Sequence, residues 1–99
     1  MVETITKETL LLCNPDVVLR EEDEDGGLLF NPDTNQVKVV NTTGLFIWKQ
    51  FKAVNNPGKV AASVLQNFEE TTAEVVQADL DEFLNEMIQT GFIGEVKSQ

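Results

Sequence analysis

The hydrophobic pattern changes once along this chain. Between residues 17 and 40, apolar positions come in short blocks separated by turn residues. From residue 41 onward they recur every three or four positions. The first pattern predicts strands and the second predicts helices. Val17-Val18-Leu19-Arg20-Glu21 is rich in β-branched residues and reads as a first strand. An acidic run then leads to Gly26-Gly27, and Asp25-Gly26 suits a tight hairpin because glycine tolerates positive φ. Leu28-Leu29-Phe30 begins the return strand. Asn31-Pro32-Asp33-Thr34-Asn35 is a second turn, in which Pro32 fixes φ and the Asn and Asp side chains bond to local backbone. Gln36 to Val40 is the third strand, so the three form an antiparallel meander.

The helical half begins at Asn41 or Thr42, either of which can cap free amides. Gly44, Ile47, Trp48 and Phe51 share one face of this helix, and Asn55-Asn56-Pro57-Gly58 ends the element. Val60, Val64, Leu65 and Phe68 mark a second helix. Thr71 with Glu74 reads as a capping box for a third. Val75, Val76, Leu80, Phe83, Leu84, Met87 and Ile88 give that third helix more apolar surface than one contact face needs. Gly91 stands where a helix end favours a left-handed residue, with Phe92 and Ile93 as anchors beyond it. Residues 92–96 allow a short extended piece. Residues 1–14 read as a loose arm or an added strand, and 97–99 as a frayed tail. The fold class is therefore α+β: a three-stranded antiparallel sheet followed by three helices, with one globular unit over 15–96.

Charge narrows the functions. Seventeen acids oppose seven bases, a net charge of −10. A nucleic-acid binder needs Lys and Arg to displace phosphate counterions. Here the single arginine, Arg20, is followed by five consecutive acids. DNA, RNA and anionic membrane surfaces are poor partners for such a chain. The N-terminal apolar run is too short for a signal peptide or a membrane span, so a cytoplasmic protein is expected. Catalytic chemistry is also hard to assemble. There is no histidine, no tyrosine and one cysteine, Cys13, set beside Leu10 to Leu12 as a small apolar residue would be. That removes His-based acid–base work, Cys–His nucleophiles and Cys/His zinc sites. The acidic run lacks the ligand spacing of a calcium loop and reads as a solvated hairpin tip. No cofactor is called for, and no enzyme activity is expected.

The positive signal is a groove. A meander leaves its third strand on an edge, with backbone donors and acceptors unpaired. The spare flank of the third helix can lie beside that edge. An extended peptide could then join the sheet as an extra strand and seat side chains against the helix. The abrupt passage from Val40 to the helix start at Asn41 would hold strand and helix in fixed relation, preparing the groove before a ligand arrives.

Over about 80 residues the chain resembles the PqqD family of pyrroloquinoline quinone biosynthesis and the related recognition elements of ribosomal-peptide modification systems. The resemblance lies in Pro15-Asp16-Val17, in Asn41-Thr42-Thr43-Gly44 with Ile47-Trp48, and in the spaced Val60, Val64, Leu65 and Phe68. It continues through Val75 to Leu84 and closes on Gly91-Phe92-Ile93. It implies a winged-helix-like domain that binds the leader of a precursor peptide by strand addition. The domain would present that leader to a modifying enzyme, often a radical S-adenosylmethionine enzyme. Carried onto this sequence, backbone contacts come from Val37, Lys38, Val39 and Val40, and the groove is lined from among Val76, Leu80, Phe83 and Met87. Asp79 matches an acidic position of the family and reads equally as a solvent-facing helix residue. The stretch Asn55 to Lys59 lacks the family's usual Thr, and residues 1–14 have no counterpart in it.

Two other functions stay open on the residues alone. A winged-helix transcription regulator has the shape but not the charge. An adaptor could dock through its acidic hairpin with no peptide ligand. An open strand edge also permits a homodimer.

Overall fold

A computed structural model of the chain describes residues 8–23, 26–68 and 71–96. Its elements run β1 (Leu11–Cys13), β2 (Val18–Asp23), β3 (Gly26–Asn31), β4 (Gln36–Asn41), α1 (Thr42–Gln50), α2 (Pro57–Asn67), α3 (Ala73–Gln89) and β5 (Ile93–Glu95). The meander is β2-β3-β4, antiparallel throughout, so the third strand of the sequence reading is β4. The expected Asp25-Gly26 turn lies partly outside the described residues. Gly26 itself is already in β3, opposite both Asp23 and Asn41, and the β2–β3 register shifts between Glu21 and Asp23.

A second, two-stranded sheet pairs β1 with β5. The arm is fastened further at both ends. Leu11 and Asn55 exchange backbone hydrogen bonds at 2.8 and 3.1 Å, Cys13 N–H donates to Phe51 O at 2.8 Å, and Asn14 N–H donates to Phe92 O at 2.9 Å. The described part of the arm therefore lies against β5 and the α1–α2 connection, and leaves β4 alone.

Two helix starts differ from the sequence reading. Asn55-Asn56-Pro57-Gly58 does not end the first helical element but opens the second. Asn56 Oδ1 accepts from Lys59 N–H, and Pro57 takes the first helical position, where no amide donor is needed. The third helix is capped by Thr72, whose hydroxyl accepts from Val75 N–H at 3.3 Å, rather than by Thr71. Glu74 then sits one position too early to reach back in a capping box, but its charge still lies at the positive end of the helix. At the far end Gly91 has φ +80°, Gly91 N–H donates to Ile88 O and Phe92 N–H donates to Met87 O. These two bonds make a Schellman motif, which turns the chain sharply into β5.

The core joins Leu29 from the sheet, Trp48 and Phe51 at the end of α1, Val60 and Val64 of α2, Leu80 and Leu84 of α3, and Leu11, Phe92 and Ile93 from the small sheet. Among the described residues no helix is long and apolar enough to cross a membrane.

Candidate functional site: a groove between an edge strand and a helix

In the three-stranded sheet β4 is an edge, and among the described residues no strand pairs with its outer side. Every second residue of such a strand turns its amide and carbonyl away from the sheet. Side chains alternate across it. Lys38 is half-buried and Val40 buried on the face that meets the helices. Val37 and Val39 are 57% and 81% exposed on the other face.

The strand runs straight into α1. Asn41 is the last residue of β4 and also the cap of α1, its Oδ1 accepting from Gly44 N–H at 2.8 Å. Gly44 faces Val40 and the Phe83 ring at close range. A Cβ there would stand 3.2 Å from Val40 Cβ, 3.3 Å from Asn41 Oδ1 and 3.5 Å from Cε1 of Phe83. The Asn41-Thr42-Thr43-Gly44 stretch thus combines a cap with a close approach. It joins strand to helix with no slack and lets the Phe83 ring lean against the junction.

Between β4 and α3 lies a groove of about 210 Å³, bounded by Lys38, Val39, Val40 and Asn41 on the strand side, and by Gly44, Phe83, Glu86 and Met87 opposite. Its floor is apolar and its rim is polar. At one end a single brace crosses it. Lys38 Nζ lies 2.7 Å from Glu86 Oε2 and 5.4 Å from the centroid of the Phe92 ring.

Of the eight residues expected at a peptide site, Lys38, Val39, Val40, Phe83 and Met87 come together here. Val37 lies on the outer face of the sheet, opposite Phe30 in the register. Val76 and Leu80 are 4% and 0% exposed and belong to the core, because α3 turns that part of its face onto α2 and α1. Glu86 joins them, three residues after Phe83 on the same helix face, a spacing that the sequence itself offers. Asn31 reads from the sequence as a turn residue, and nothing in its context marks it as buried, yet it is 1% exposed.

A family model for coenzyme PQQ synthesis protein D (PqqD) matches residues 26–93. The chain belongs to the PqqD family. The match starts in β3 and ends in β5, so it spans both walls of the groove. No protein in the curated collection matches. Two solved structures resemble this PqqD-family chain in fold. TbiB1 in complex with the TbiA(beta) leader peptide is 17% identical with a TM-score of 0.75, covering 88% of this chain and 99% of that one. The PqqD truncation of Methylobacterium extorquens PqqCD is described as a functional, stand-alone recognition element for ribosomally synthesized and post-translationally modified peptides. It is 14% identical with a TM-score of 0.73, covering 91% of this chain and 94% of that one.

Proposed function

We propose that this PqqD-family chain is a non-catalytic peptide chaperone. It binds the leader segment of a ribosomally made precursor by strand addition along β4 and presents it to a modifying enzyme, with a radical S-adenosylmethionine enzyme as the leading class. The observation that carries the reading is the open β4 edge lying beside a groove whose far wall is Phe83, Glu86 and Met87. The edge supplies backbone hydrogen bonds to any sequence, and the groove selects side chains. The likeness in fold to a chain solved with a leader peptide supports the same use here.

The buried state of the one thiol is consistent with that role. Cys13, the one thiol, is 6% exposed and donates to Trp48 O at 3.3 Å. Burial pushes its pKa up to about 12, against a weaker opposing pull from Lys52. A thiol held protonated in this way is no nucleophile.

Affinity on the order of micromolar is expected, since a flexible leader loses chain entropy as it orders. The test is an NMR titration of ¹⁵N-labelled protein with the leader of a precursor encoded beside it. Shifts along Gln36–Asn41 and the Phe83–Met87 part of α3 are expected. Shifts confined to β1, β5 and α2 would overturn the proposal.

A further inference from the structure

The groove does not stop where β4 ends. It shares Asn41, Gly44, Phe83 and Glu86 with a second hollow of about 310 Å³, which adds Thr43, Ile47, Asp79 and Glu82. That hollow in turn shares Thr43, Ile47 and Asp79 with a third cavity of about 80 Å³, completed by Val64, Phe68, Thr71 and Val76. The three form one trough. It begins at the Lys38–Glu86 brace, passes over the start of α1 and ends between α1, α2 and the first turns of α3.

Direction and length follow from the helix. Lys38 meets α3 at Glu86, while Asn41 shares its hollow with Asp79 and Glu82. A chain moving along β4 towards Asn41 therefore travels back along α3 towards its N-terminus. From Glu82, beside Asn41 at the end of β4, to Val76 is roughly 9 Å of helix, a distance covered by about three residues of extended peptide.

The end cavity has the chemistry of a side-chain pocket. Ile47, Val64 and Val76 are 4%, 3% and 4% exposed and give it aliphatic walls. Phe68 is steadied from behind by Phe46, whose ring meets it edge-to-face at 5.4 Å. Size decides between guests. A cavity of about 150 Å³ takes up a benzene ring. One of about 80 Å³ suits a branched aliphatic group instead. On the way in, a guest passes the carboxylates of Asp79 and Glu82, in a chain already carrying ten net negative charges.

We infer that the leader site extends past β4 to a second anchor. The cavity between α1, α2 and α3 receives a Val, Leu or Ile side chain of the same peptide, about three residues beyond the strand-forming segment, with Lys or Arg between them to meet Asp79 and Glu82. The inference rests on the groove being the leader site, and the experiment separates the two.

A displayed library of random 16-residue peptides is selected against the full chain. Winners are measured by fluorescence anisotropy, whole and cut before the aliphatic residue. Cutting is expected to weaken binding about tenfold or more, the worth of one buried aliphatic side chain. Val64→Phe, which plugs the cavity, should reduce that difference to about twofold or less. Thr43→Leu, at the half-buried mouth, serves the same purpose where Val64→Phe does not fold. Cut and whole peptides that bind alike, or plugged variants that weaken both equally, overturn the second anchor. Phe83→Asp tests the groove itself. Loss of both peptides there keeps the leader site even when the second anchor fails, and unchanged binding of both removes the leader site and the anchor with it.

Discussion

The carboxamide of Asn31 donates to the carbonyl of Gly91 at 3.3 Å, and that carbonyl also accepts from Asn14 Nδ2 at 3.0 Å. One backbone oxygen at the end of α3 thus gathers the β3–β4 turn and the N-terminal arm. Asn31 is 1% exposed; its Oδ1 also accepts from Asp33 N–H, and its backbone oxygen accepts from Asn35 N–H. It shapes the turn and ties it to the helix that forms the other wall of the groove. Asn31→Ala should cost about 1–2 kcal/mol, because the bonds of a buried carboxamide to the turn and to the end of α3 are lost together. Urea unfolding followed by the fluorescence of Trp48 measures it, and leader affinity should fall in parallel.

Gly26 is a second fixed point of the edge strand. Its φ is +146°, and a Cβ there would collide with the backbone carbonyl of Val40. The crowding is backbone against backbone, so no rotamer change relieves it. Gly26→Ala is expected to destabilise the chain by at least about 2 kcal/mol from backbone strain alone. Thermal unfolding shows the loss, and amide exchange should be fastest at Val40 and Asn41, where β4 meets α1.

Most of the element order was legible because local rules agreed with the final packing. Proline and asparagine marked the β3–β4 turn, and helical spacing marked all three helices. What escaped was non-local. The β1–β5 pair joins Leu11–Cys13 to Ile93–Glu95 across nearly the whole chain, and two three-residue strands leave no periodic trace. The same cause divided the site. Phe83, Met87, Val76 and Leu80 share one apolar stripe, and the packing of the neighbouring elements leaves Phe83 half-buried while the other three are buried. The Asn55–Gly58 stretch reads as an ending but opens α2, because Asn-Asn-Pro-Gly serves equally well to stop a helix and to start one.

Cys13 gives the fold a pH signature. Its thiol titrates near 12 in the folded chain against an ordinary value of 9.0, with burial as the main cause. The folded state therefore holds this proton more tightly than the unfolded state does. The resulting stability is fully present below pH 9 and is lost as pH rises towards 12. Cys13→Val, which has nothing to titrate, should lose less stability across that window, as urea midpoints from pH 8 to 11 would show. Iodoacetamide at pH 8 should label the native protein far more slowly than the unfolded one.

The brace across the groove separates charge from packing. The Glu86 carboxylate is 63% exposed, so the Lys38–Glu86 attraction is screened and worth at most about 1 kcal/mol. The Lys38 side chain is 15% exposed, with its stem laid between β4 and α3 and its ammonium over Phe92. Glu86→Gln removes the ion pair but keeps the stem. Lys38→Ala removes the ion pair, the stem and the contact with the ring. Glu86→Gln should therefore leave stability nearly unchanged, while Lys38→Ala loses about 1–2 kcal/mol, within the common range for single substitutions. Leader binding should follow the stem as well, since a strand free to shift against the helix must be ordered again by each ligand. Lys38→Met, which restores an apolar stem without charge, is expected to recover most of the affinity. Equal loss in Lys38→Met and Lys38→Ala would mean that the charge, and not the packed stem, sets the spacing of the groove.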